Sequence, residues 1–112
     1  MNKIPALLTL AALACTAHAE DKLGVPVYPG AKAHAQDTAA AKMLASEAYC
    51  FRSPDAVAKL VAYYKAQPGL KLMPMPPGVV AVATSFLKGE VITRVQTAVD
   101  NPKESVLCIA KE

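Results

Sequence analysis

Beyond its first nineteen positions, the 112-residue sequence has no apolar run of the eighteen or more residues that a membrane helix takes, because Lys, Asp or Glu interrupts every stretch. Stable membrane insertion is therefore not expected. The basic residues are scattered singly rather than gathered on one face with aromatics between them, which argues against a nucleic-acid partner. The five glycines are isolated at turns, so no phosphate-cradling loop is present. Once the leader described below is removed, His34 is the lone histidine, and no serine or cysteine stands beside it to form a supported nucleophile. The carboxylates Asp55, Glu90, Asp100 and Glu104 fall at helix starts or turns, where capping and solubility account for them. No catalytic residue and no cofactor are assigned, and a non-enzymatic protein is expected.

What the sequence does contain begins with an export signal. Lys3 supplies a positive start, Ile4 to Ala14 an apolar stretch too short to span a bilayer, and Ala17-His18-Ala19 a small-residue exit followed by Glu20 and Asp21. Cleavage is expected after Ala19, which places the mature chain in the periplasm or outside the cell. Cys15 as a lipidated residue is a weaker reading, since Leu-Ala-Cys sets its leucine one place too close. Residues 20–112 then form one expected α+β domain. Its charge is close to balanced at +2, after Lys3 is set aside from twelve basic against nine acidic residues.

Losing Cys15 leaves Cys50 and Cys108, an even pair in an oxidising compartment, so one structural disulfide is expected. The pair lacks the C-x-x-C spacing that lowers a thiol pKa, and a redox role is correspondingly disfavoured.

The main helix is announced by Ser53-Pro54-Asp55, with serine as N-cap and proline at the first helical position, and is predicted over 54–66. Val57, Leu60, Val61 and Tyr64 form its apolar stripe. Ala45 to Arg52 alternates as a half-buried strand, with Tyr49 and Phe51 inward and Cys50 outward. Val79 to Leu87 and Glu90 to Val99 read as a hairpin about Lys88-Gly89, which sets Phe86 opposite Val91 and Thr84 opposite Thr93. Glu104 to Lys111 is the last strand. If Cys50 faces outward then Cys108 must too, which places Leu107 and Ile109 inside and makes the first and last strands neighbours. The expected fold is a two-layer α+β sandwich: an about four-stranded, mostly antiparallel sheet ending in a three-stranded meander, with the helix on one face. Two further expectations are a short helix capped by Asp37 within 37–47, and an extended surface loop over the proline-rich 71–78.

Met73 and Met75 form an M-x-M pair, and thioethers select Cu(I). A copper site needs more soft ligands than Met43 and His34 supply at any telling distance, so no metal is assigned and the methionines are read as gap-fillers. Tyr63 and Tyr64 are adjacent and cannot both face the core, which leaves Tyr63 at the border of the stripe. Met73, Met75, Tyr63 and Tyr64 are the candidate ligand or interaction surface.

The segments Gly24 to Ala31 (GVPVYPGA), Ala48 to Asp55 (AYCFRSPD) and Val57 to Lys65 (VAKLVAYYK) resemble small exported proteins of Gram-negative bacteria. In these a P-x-Y-P-G-A opening precedes an aromatic strand, an S/T-x-D cap and a Y-Y-K helix. The resemblance implies a periplasmic or secreted α/β domain without an established activity, and brings no catalytic residues. The leading expectation is thus an exported domain that acts on a protein partner through a sheet edge or the proline-rich loop. The alternative is a small-ligand or copper-binding protein with a site between helix and sheet near Met43, Tyr64, Met73 and Met75.

Overall fold

The computed structural model describes residues 20–74 and 83–112. The export signal expected over 1–19, together with residues 75–78 of the proline-rich segment, Met75 among them, lies outside the described residues. The elements in chain order are β1 (Asp21–Lys22), β2 (Val25–Pro26), β3 (Lys32–Ala33), α1 (Ala35–Lys42), β4 (Glu47–Ser53), α2 (Val57–Lys65), β5 (Lys71–Leu72), β6 (Thr84–Lys88), β7 (Val91–Thr97) and β8 (Ser105–Lys111).

The principal sheet has the order β3-β4-β8-β7-β6-β5, and every pairing in it is antiparallel. It has six strands rather than the four expected. The two additions, β3 and β5, are two-residue edge strands that carry Lys32 and Lys71 and are too short to show a period-2 pattern. The long strands are as expected in kind. Cys50 lies directly opposite Cys108 in the β4–β8 pair, and the two are bonded across a Cα separation of 4.1 Å. That pairing turns Leu107 and Ile109 into the core, both fully buried.

The β6–β7 hairpin turns at Gly89-Glu90, one residue later than expected. Phe86 therefore pairs with Thr93, and Thr84 with Val95. Gly89 has φ +62°, the left-handed value that the first central position of a II′ turn asks of glycine. Moving the turn by one residue shifts each partner by two and leaves every side chain on its expected face.

The helix α2 also starts later than its sequence signal. Its N-cap is Ala56, which makes no side-chain cap bond. Ser53 ends β4 instead, and its Oγ accepts from the Asp55 N–H at 3.1 Å. Asp55 is tied down from two sides: its carboxylate accepts from the Tyr28 hydroxyl at 2.5 Å and its carbonyl from Ser105 Oγ at 2.7 Å. These tertiary bonds hold residues 54–56 out of the helix. The stripe is as expected, with Leu60 and Tyr64 fully buried against Phe51, Phe86, Val95, Leu107 and Ile109. Burying each large apolar side chain contributes about 1.5–3 kcal/mol.

The same core takes in Val25 and Val27, so the N-terminal segment is part of the fold rather than an approach to it. Leu23 (φ +54°) and Gly24 (φ +82°) turn β1 back onto β2. A leucine in the left-handed region costs about 1–2 kcal/mol. Burial of Val25 and Val27, the Tyr64 hydroxyl donating to the Pro26 carbonyl at 2.8 Å, and Lys88 Nζ donating to the Gly24 carbonyl at 2.8 Å offset that cost.

One face of the sheet is thus covered by α2 and the β1–β2 hairpin, and the other carries Ala48, Cys50, Arg52, Val106, Cys108 and Ala110 beneath α1. The expectation of one helix on one face gives way to elements on both. No described helix is long and apolar enough to cross a membrane.

Candidate functional site

The helix α1, AQDTAAAK, has no apolar stripe and no fully buried residue. Most helices are held by such a stripe. Polar bonds hold this one. His34, not Asp37, is its N-cap: Nδ1 accepts from the Asp37 N–H at 3.3 Å, and the helix begins two residues before the expected cap. Thr38 clamps the backbone of β4, its Oγ1 accepting from Cys50 N–H at 2.9 Å and donating to the Cys50 carbonyl at 3.3 Å. At the far end Ser46 binds the Lys111 carbonyl twice, through its N–H and its hydroxyl, both at 2.9 Å.

The strongest tie is Arg52. Its side chain is only 12 % exposed, and its guanidinium forks onto Asp37 (Nε to Oδ2 2.7 Å, Nη2 to Oδ1 3.1 Å) while Nη1 donates to Asp100 at 2.8 Å and Glu104 at 3.1 Å. Residues from three segments of the chain meet here. The hydrogen bond from Arg52 holds the Asp100 carboxyl below its ordinary value, and the carboxylates, Asp37 foremost, hold Arg52 in its charged form.

Between α1 and the open face of β8 and β7 lies a groove of about 510 Å³. On the α1 side it is lined by the small side chains of Ala40 and Ala41. Val106, Cys108, Ala110 and Ile92 make an apolar floor, with Arg94 and Gln96 along the β7 side. Leu44 and Val99 line the groove as well, although they are 86 % and 94 % exposed. The Arg52 end carries an excess of negative charge, since three carboxylates share one guanidinium. Arg94 has no carboxylate within ion-pair distance among the described residues.

The groove is not where the sequence places a site. Tyr64 lies in the core on the opposite face, and Tyr63 is half-buried there in edge-on contact with Tyr28 (centroids 5.3 Å apart) and Tyr64 (5.0 Å). Met73 lies just beyond β5, half-buried, with its N–H donating to the Ser85 carbonyl at 2.8 Å. Met43 is the exposed C-cap of α1. Tyr64 and Met43 are thus on opposite faces, and Met75 lies outside the described residues. Among the described residues no group of three or more His, Cys, Asp or Glu is placed to hold a metal ion.

Sequence reasoning missed Arg52 and the N-cap role of His34, and reads Asp100 and Glu104 as turn residues. A signal for Arg52 was present: it stands on the strand face it shares with Ala48 and Cys50, where a charge needs partners.

No family model, no curated protein and no solved structure matches the chain.

Proposed function

We propose that the protein is an exported, non-enzymatic binding domain that takes a small ligand with an apolar body in the groove between α1 and β7. This keeps the expectation of a ligand binder and moves its site to the other face of the sheet. The observation that carries it is the groove itself, whose size falls within the roughly 300–1,000 Å³ of ligand pockets and whose floor is apolar, with a charged cluster at the Arg52 end and Arg94 and Gln96 along the β7 side. Binding rather than chemistry is favoured because the ionisable groups at that end are committed to one another: Arg52 occupies both oxygens of Asp37 and one each of Asp100 and Glu104. The disulfide between Cys50 and Cys108 is compatible with an oxidising compartment, as export requires.

The test is uptake of the neutral, apolar fluorophore phenylnaphthylamine. The native chain has no tryptophan, so Ala40→Trp both fills the groove and reports on it. Dye binding by the native protein and its loss in Ala40→Trp, with an unchanged melting temperature, is the expected result. Equal dye binding by both proteins would refute the assignment.

A protein partner is the second reading, favoured by Met43, Leu44 and Val99, which are 83–94 % exposed at the C-terminal end of α1 and in the β7–β8 turn. It moves the interface away from the sheet edges, where β3 and β5 are two residues long and each carries a lysine, features that discourage strand addition. Loss of a recovered partner in Leu44→Ser with Val99→Ser would support it.

A further inference from the structure

Resting on the groove reading above, we infer that the ligand is an organic cation with an apolar body. Its chain lies on the floor of Ile92, Val106, Cys108 and Ala110, and its cationic group is held by Asp100 and Glu104.

Charge sets the polarity. Asp37, Asp100 and Glu112 line the groove against Arg52 and Arg94, and Glu104, bonded to Arg52 Nη1 beside Asp100, adds a fourth carboxylate at its edge, for an excess of two negative charges. The excess is concentrated at the Arg52 end, where three of the four carboxylates meet. Their oxygens are not equally committed. Both oxygens of Asp37 accept from Arg52, whereas Asp100 and Glu104 each use one, and the Asp100 side chain is 67 % exposed. An ionised carboxylate has acceptor capacity for several donors, so these two retain sites for a cation. Arg94, the one groove cation without a carboxylate partner among the described residues, is level with Cys108. Gln96 is level with Val106, in the row that Arg52 shares. Arg94 is therefore set back from the acidic end.

Shape sets the body. Val106 to Ala110 spans four residue steps of strand, about 13 Å, which an alkyl chain of decyl length matches. Short side chains line this track from α1, Ala40 and Ala41, and from β8, Cys108 and Ala110, with Ile92, Arg94 and Gln96 along the β7 side. Arg94, level with Cys108, is the one charged side chain beside this track before Glu112 at the far end, and it disfavours a second cation there.

The experiment titrates the oxidised, isotope-labelled protein with decyltrimethylammonium, decyl maltoside and decyl sulfate, each below its micelle concentration, and follows the backbone amides by NMR. Groove amides are expected to shift with all three probes. The cation should bind about five-fold tighter than the maltoside, as one partly exposed charge contact of about 1 kcal/mol gives, and the sulfate weakest. Asp100→Asn should remove at least half of that advantage and leave maltoside binding unchanged; Glu104→Gln serves as the second variant if the first fails to fold. Equal affinities for cation and maltoside, or tightest binding of the sulfate, would overturn the cationic assignment and leave the groove standing. An undiminished cation preference in both variants would overturn the placement of the charged group. No groove shift with any probe would overturn this inference together with the groove reading.

Discussion

Replacing Arg52 by glutamine should release α1 from the sheet without unfolding the strands beneath it. The reasoning starts from what attaches the helix: no buried apolar residue, a histidine cap, the Thr38 clamp and the Arg52 fork. Hydrogen bonds between charged partners contribute about 1.5–3 kcal/mol each when well shielded, and less as exposure rises. The two bonds to Asp37 are the shielded ones. Glutamine can replace at most part of one, so a net loss of about 2 kcal/mol in docking free energy is expected. By the ordinary conversion this is a roughly 30-fold rise in local opening. The assay is native-state amide hydrogen exchange. Amides of Thr38 to Lys42 should exchange about 30-fold faster in Arg52→Gln, while those of Val95, Leu107 and Ile109 keep their protection. Unchanged exchange in α1 would refute the claim that polar bonds dock it, and a uniform acceleration of all amides would show Arg52 supporting the whole fold.

Four further outcomes follow from the geometry. The Asp100 carboxyl, depressed by its bond from Arg52, favours the folded state above its ordinary value near 3.8 and loses that contribution as pH falls through the depressed value; its carbon-detected midpoint should rise toward 3.8 in Arg52→Gln. All four tyrosines are held above their ordinary value of 10: Tyr28 to about 12 by its bond to Asp55, Tyr49 by Glu47, and Tyr63 and Tyr64 by burial foremost. Their contribution is full below about pH 10 and is lost as pH rises further, so native phenolate absorbance should lag that of the unfolded chain, and Asp55→Asn should advance the Tyr28 step. Thr93 Oγ1 is buried with no hydrogen-bond partner among the described residues, so Thr93→Val should raise stability by about 1 kcal/mol, read from denaturant midpoints. Replacing both cysteines by alanine should lower it by about 4 kcal/mol in the chain-entropy treatment, for a sequence separation of 58 residues.

Where side chains alternate or repeat over several residues, the sequence was informative. The stripe Val57, Leu60, Val61, Tyr64 and the alternation around Tyr49 and Phe51 give α2 and β4, and the requirement that Cys50 and Cys108 share a face gives both the β4–β8 neighbourhood and the inward side of β8. Local signals competed less well with tertiary bonds. Ser53-Pro54-Asp55 is a sound helix start by itself, yet Tyr28 and Ser105 hold Asp55 and delay the helix to Val57. Two-residue strands leave no period to detect, and so β3 and β5 were invisible. The groove was illegible for a different reason. Its α1 wall is made of alanines, which carry no signal of a site, and its charged end assembles residues 37, 52, 100 and 104 from three separate segments. No spacing rule joins such positions.

The account stands or falls on whether the groove receives an apolar guest. The most direct measurement is of isotope-filtered nuclear Overhauser contacts between the chain of decyl maltoside, a neutral probe, and the protein's methyl groups. Contacts to Leu44, Ile92 and Val106 are the predicted result. Contacts instead to the α2 side, around Val61 and Met73, or none to any of these methyls at saturating probe, would contradict it.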